Sequence, residues 1–249
     1  HAGHLKVRRL LLIGRLDEAE DVLAGLDPAP LPPASRAAHE LAVAGIAIRR
    51  LKTKPARTAL EWARHAARRA GIAGLMAEVD GAFLALDTPA ARLIARGQQR
   101  PLLLEEVEAL QASPGLVVDS FRYAVRSGET TISLATRPVL FALARTLAEA
   151  WPGDVSREEL VARAFGGKHA DESHRARLRV EIGRLRAELR TLAGISATKR
   201  GFALAPRQAG EVAVLARPIE ERHAAVLALL ADGESWSSSG MELALGTGQ

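Results

Sequence analysis

The spacing of apolar residues changes at residue 116, and that change constrains the fold more than any other feature of the chain. Before it, Leu5, Leu10, Leu11, Ile13, Leu16, Ala19, Val22, Leu23 and Leu26 recur at the three- and four-residue intervals of a helix face. Asp27-Pro28 ends that run, and the proline-rich stretch Pro28 to Pro33 makes a rigid connector. Ser35 is placed to cap a helix carrying Leu41, Val43, Ile46, Ile48 and Leu51. Further helical runs follow through Leu60, Trp62 and Ala66, through Leu75, Val79, Phe83 and Leu86, and from Leu102 to Leu110. Residues 1–112 are therefore expected to be helical throughout.

After residue 116 the period shortens. Leu116–Val118, Phe121–Val125 and Thr131–Leu134 read as short strands, with a turn at Ser127-Gly128-Glu129. Helical spacing returns from Val139 to Leu147, from Ser156 to Phe165, and over about 172–192. Ile195–Leu204 alternates like a hairpin, and 211–249 reads as a helical segment. The expected class is mainly α, with a helical domain at 1–112, a domain of small sheet, three helices and hairpin at 116–207, and a helical tail.

Charge locates the candidate function. The chain has 34 Lys and Arg against 29 Asp and Glu, and 29 of the cations are Arg, whose planar fork grips phosphate or guanine with two hydrogen bonds. Residues 116–207 hold 16 cations and 10 acids, a surplus of six; 208–249 hold two and six, a deficit of four. The mild overall +5 thus hides a cationic domain beside an acidic tail. With no cysteine, thiol chemistry and cysteine-metal sites are excluded. His39, His65, His169, His174 and His223 show no metal-ligand spacing, so no metal is expected. Gly166-Gly167-Lys168 lacks the spacing of a phosphate loop, and His1-Ala-Gly-His4 has no strand before it to make a nucleotidyltransferase signature. The expectation is a protein that is not an enzyme and uses no cofactor. The longest apolar run, Leu41 to Ile48, is too short to span a bilayer, and the expected location is cytoplasmic, on the nucleoid, away from membrane.

Two resemblances follow from these residues. Gly14 to Ala19 (GRLDEA), followed by Pro28, resembles half of a tetratricopeptide repeat, and Ala59 to Ala63 (ALEWA) resembles a decayed second copy. A generic helical bundle accounts for the same residues. Segment 116–205 resembles the DNA-binding domain of OmpR/PhoB-type transcription regulators of bacterial type. The resemblance is carried by Leu134 to Phe141 (LATRPVLF), Val155 to Leu160 (VSREEL), Phe165-Gly166, Ile182 to Leu189 (IGRLRAEL) and Thr198 to Leu204 (TKRGFAL), the last a shortened wing. The receiver domain usual in that family has no counterpart, because 1–112 shows no alternation of strands and helices. Trp236 to Gly248 is similar to the first half of a second helix-turn-helix, capped by Ser238 or Ser239 and closed by Gly246, with its recognition helix expected beyond Gln249; a plain helical tail fits equally.

The resemblance implies a winged helix-turn-helix that binds double-stranded DNA, with the helix over 172–192 in the major groove and the wing 198–202 on the backbone or minor groove. The residues agree with it. Leu178, Ile182, Leu185 and Leu189 form one stripe, while Ala176, Val180, Gly183 and Ala187 point outward and are small enough for close approach. The candidate DNA contacts are Arg175, Arg177, Arg179, Arg184, Arg186, Lys199 and Arg200. Arg177 and Arg179 are the expected base readers, whereas Arg184 and Arg186 meet phosphates or structural partners. The helical domain is expected to receive RNA polymerase, a regulatory protein or a second copy of the chain. The alternative is a helical-repeat adaptor whose winged helix binds protein instead of DNA.

Overall fold

The computed structural model describes residues 2–166, 172–208 and 210–218. Two compact units emerge: one from 2–90 with 101–113, the other from 91–100 with the described residues from 114 onward.

The first unit is helical. It holds α1 (Ala2–Leu12), α2 (Leu16–Ala24), α3 (Pro33–Arg49), α4 (Thr53–Ala70), α5 (Ala73–Asp87) and, after an interruption, α6 (Leu104–Ala112). The single run expected from Leu5 to Leu26 divides at Gly14, which adopts φ +76, a left-handed conformation that costs glycine little. Val7, Leu10 and Leu11 of α1 then pack with Ala19 of α2 and Ile46 of α3. α3 begins at Pro33, two residues before the expected cap at Ser35, because proline fits the first helical turn. The first turn of α4 has no local cap. Glu108 of α6 supplies one, accepting from the Thr53 amide at 2.9 Å and from its hydroxyl. Those two donors hold the Glu108 carboxyl below the usual carboxylate range.

Residues 91–102 form the hairpin β1 (Ala91–Ala95) and β2 (Gln98–Leu102), so the expectation of helix throughout 1–112 is wrong there. The turn between them holds Arg96 and Gly97 at φ 52 and 75.

The second unit continues with β3 (Leu116–Asp119), β4 (Ala124–Ser127), β5 (Thr130–Ser133), α7 (Pro138–Glu149), β6 (Asp154–Ser156), α8 (Arg157–Phe165), α9 (Glu172–Leu189), β7 (Ala193–Ala197), β8 (Gly201–Pro206) and β9 (Val212–Ala216). Its larger sheet has six strands in the order β2-β1-β9-β3-β4-β5. β9 lies parallel to β3, with Leu116 opposite Val212, and antiparallel to β1, with Leu93 opposite Leu215. A second sheet, β6-β8-β7, lies among the three helices.

This sheet overturns the mainly α class. Of the described residues 56% are helical and 20% are strand, and the larger sheet is six-stranded and mixed where a small accessory sheet was expected. It recruits β1 and β2 from the stretch read as helix and β9 from the tail read as helix. β9 is central and buried along its whole length, so Val212 to Ala216 carries no polar alternation to mark it as strand. The helix and the half helix-turn-helix expected within 219–249 lie outside the described residues.

One core serves the second unit. Leu140, Leu143 and Leu147 of α7, Leu160 of α8, and Leu178, Ile182, Leu185 and Leu189 of α9 meet Val118, Val125 and Val214 of the sheet. Each of the four α9 residues is at most 1% exposed, as their spacing predicts. Full burial of such a side chain contributes about 1.5–3 kcal/mol, so this stripe fixes which face α9 turns outward.

Candidate nucleic-acid interface

α8 is set by its ends. Ser156 Oγ accepts from the Glu159 amide at 3.1 Å, and Gly166 closes the helix at φ 70. Leu160 and Val161 bury inward. That leaves Arg157 in the first turn, beside the β7–β8 turn.

α9 carries most of the candidate residues. Its outward positions, Ala176, Val180, Gly183 and Ala187, are all exposed, Val180 at 54%. Arginines stand on both shoulders of this small-residue face. Arg175 pairs with Glu158 of α8 at 3.7 Å. Arg177 lies over the Phe165 ring, 4.5 Å from its centroid. Arg179 is exposed on the same shoulder as Arg175. Arg184 is held by Glu181 at 2.9 Å. Glu181 is itself only 9% exposed, so its carboxylate serves Arg184 and is poorly placed to accept from a cytosine.

Arg186 turns away from the outer face. Its Nε donates to the Ile195 carbonyl at 2.7 Å and its guanidinium lies 5.7 Å from the Phe202 ring centroid. It ties α9 to the hairpin, the structural of the two roles the sequence left open.

Lys199 and Arg200 occupy the β7–β8 turn and are exposed. Arg200 faces Asp154 at 4.0 Å, while the Lys199 ammonium has no ion pair among the described residues. The turn is anchored from beneath: Arg157 donates to the Thr198 and Lys199 carbonyls at 3.3 and 3.2 Å, and Thr198 donates its hydroxyl to Asp154. Phe202, only 7% exposed, takes Arg157 at 5.5 Å and Arg186 at 5.7 Å, joining α8, α9 and the hairpin through one ring. Sequence reading missed Arg157, Phe202 and Asp154. Arg157 and its partners are about 40 residues apart in the chain, and no local pattern links them.

Gly201 sets how closely the hairpin approaches β6. A Cβ there would stand 1.8 Å from the Val155 carbonyl oxygen, so no other residue fits without moving a strand. At Gly183, by contrast, a Cβ would meet nothing within 4 Å.

A cavity of about 530 Å³ lies where the first turn of α7 meets α9, and Arg137, Glu181, Arg184 and Glu188 line it. Its charges cancel in pairs, Arg137 with Glu188 and Arg184 with Glu181. Among the described residues no three His, Asp or Glu cluster as metal ligands, and no helix is long and apolar enough to cross a membrane. Gly167, Lys168 and His169 lie outside the described residues, while His4 sits in α1 against His39.

No protein-family model, curated protein or solved structure matches this chain.

Proposed function

We propose that the chain is a sequence-specific DNA-binding regulator of transcription, with an OmpR/PhoB-like module set into a larger mixed sheet. One observation supports this most. α9 buries its large apolar residues and presents a small, exposed face flanked by Arg175, Arg177, Arg179 and Arg184, with the cationic Lys199–Arg200 turn braced against the neighbouring helix. A helix of that profile enters a major groove while its flanking guanidinia reach base edges and phosphates. The turn then meets the adjacent backbone, where cations position without reading sequence.

In this reading Arg177 and Arg179 read bases near the N-terminal half of α9. Arg175, Arg184, Lys199 and Arg200 grip phosphates, and the carboxylate partners of the three arginines exchange for phosphate on binding. Arg186 positions the helix against the hairpin. The helical unit receives a protein input, and the chain works on chromosomal DNA in the cytoplasm.

Selection of bound fragments from random duplex DNA, followed by mobility shifts across a salt series, tests the reading. A preferred sequence should emerge, with affinity falling steeply as salt rises because phosphate contacts release counterions. Arg177→Ala with Arg179→Ala should relax the preference. No preference over bulk DNA would refute the regulator, and salt-insensitive capture of a protein by the α9 face would establish the adaptor reading.

A further inference from the structure

We propose that the helical unit carries a binding site for a small aromatic phosphate, of the class of the nucleoside monophosphates, in the cavity between α3, α4 and the proline-rich connector. The inference stands apart from the DNA reading and involves none of its residues.

The cavity measures about 300 Å³, at the small end of the range for ligand pockets. Trp62, His65, Ala66 and Arg69 line it from α4 at positions i, i+3, i+4 and i+7, one continuous helical stripe. Ala66 at the centre of that stripe is 7% exposed and leaves the space open. Arg36 of α3 and Pro33 complete the wall.

Three features of this lining point to a planar anion. First, Trp62 is 58% exposed, a large aromatic face left in water on an amphipathic helix that buries Ala56, Ala59, Leu60, Ala63 and Ala67. Exposed faces of this kind receive rings by stacking. Second, no carboxylate lines the cavity. Two acids bond lining residues from outside it: Glu40 accepts from Arg36 Nε at 2.9 Å, and Asp27 accepts from the Ala29 amide at 2.9 Å. Third, the cations keep donors to spare. Arg69 has no ion pair among the described residues. Arg36 spends Nε on Glu40 and Nη1 on the Pro28 carbonyl, and its Nη2 has no partner among them. The cavity beside α9 differs in this respect: both of its arginines are ion-paired, whereas here Arg36 is paired with Glu40 and Arg69 is not paired among the described residues.

The connector makes the site a built one. Prolines fix its backbone, the Leu31 amide donates to the Pro28 carbonyl at 3.2 Å, and Arg36 holds the same carbonyl at 3.1 Å. The connector's part of the lining therefore stands in place before any ligand arrives. A base stacked on Trp62 would direct its phosphate to Arg69, Arg36 and His65, and guanidinium groups hold phosphate oxygens in pairs.

The test is titration calorimetry and tryptophan fluorescence on the full chain with the 5′-monophosphates of adenosine, guanosine, cytidine and uridine. Inorganic phosphate and adenosine serve as separate probes. At least one nucleotide should bind more tightly than either fragment, with quenching that disappears in Trp62→Phe. Arg69→Ala and Trp62→Ala should each weaken binding about tenfold. Both side chains are exposed, so circular dichroism should show the variants folded. Failure of all four nucleotides at millimolar concentration, inorganic phosphate binding as tightly as the nucleotide, or affinity unchanged in Arg69→Ala would each overturn the proposal.

Discussion

Arg157, in the first turn of α8, donates to the main-chain carbonyl of Lys199 at 3.2 Å, so the turn that offers Lys199 and Arg200 to solvent is held from a different helix. The second bond, to Thr198 at 3.3 Å, and the Phe202 ring at 5.5 Å make Arg157 a three-point brace. Arg157→Ala should leave the fold intact, since a mostly solvated hydrogen bond is worth about 0.5–1.5 kcal/mol. It should speed hydrogen exchange at the Thr198 and Gly201 amides and weaken DNA binding about three- to tenfold, with base preference unchanged. Lysine cannot span both carbonyls, so Arg157→Lys should restore little. Exchange at those amides matching wild type would show that the brace does not hold the turn.

Two glycines separate stability from recognition. At Gly201 a Cβ would lie 1.8 Å from the Val155 carbonyl oxygen, so Gly201→Ala must displace β6 or β8. Its cost should exceed about 2 kcal/mol in chemical denaturation. Gly183 lies in the middle of α9 with open space around it, and Gly183→Ala should stabilise by roughly 0.5–1 kcal/mol through helix propensity. If the outer face of α9 approaches DNA closely, that methyl group should nonetheless lower affinity several-fold. A Gly183→Ala protein that is more stable and binds DNA as wild type does would move the reading face off this part of α9.

The sequence made some of this legible for a definite reason. Leu178, Ile182, Leu185 and Leu189 alternate with small or charged residues, so the period alone locates both the buried and the outward face of α9. β9 has no such contrast. Val212 to Ala216 is buried on both faces of the larger sheet, and a five-residue apolar run reads equally as strand or as helix. β2 is hidden differently: it is an edge strand, mostly exposed, and contains Pro101, which an edge tolerates because its missing amide faces no ladder. The misreading of β1, β2 and β9 together made a six-stranded sheet look like a three-stranded ornament. Likewise Glu108 caps α4 from 55 residues away and Arg157 braces a turn from 41 and 42, contacts made by the fold with no local signature.

His4 and His39 give the helical unit a pH dependence. Their rings meet edge to face, with Nε2 of His4 3.2 Å from Nδ1 of His39, so one nitrogen donates and the other accepts. Burial pushes both below the ordinary histidine value; His4 is further lowered by His39, and for His39 the nearby Arg36 adds to the shift while Glu40 opposes it. A base whose folded value is depressed binds fewer protons folded than unfolded. The penalty is therefore absent well above about pH 6.5 and grows as pH falls through the unfolded histidine value. Urea denaturation of the helical unit should show lower stability at mildly acidic pH than above neutrality. His39→Gln, which keeps a hydrogen-bonding group, should flatten that slope. An unchanged slope in His39→Gln would assign the pH dependence to other groups.

Arg179 and Arg186 lie on the same side of α9, yet the structure gives them different work. Arg186 Nε bonds the Ile195 carbonyl at 2.7 Å and its guanidinium lies by Phe202, so its removal uncouples the helix from the hairpin and strands a carbonyl. Arg186→Ala should therefore lower stability by about 1–3 kcal/mol, the cost of an unsatisfied partner in a half-buried site. Any loss of DNA affinity should track that destabilisation and apply equally to all sequences. Arg179 is exposed and nearer the N-terminal half of the helix. Arg179→Ala should leave denaturation midpoints unchanged. If it reads a base, its loss costs about 1–3 kcal/mol at one position of the site and relaxes specificity there; if it holds a phosphate, affinity falls on all sequences and the salt slope drops by about one. Measuring the slope and the position-specific preference on the same variant separates these two roles. If Arg179→Ala changes neither while Arg186→Ala changes both, the contact surface lies toward the hairpin and the orientation of α9 in the groove must be reversed.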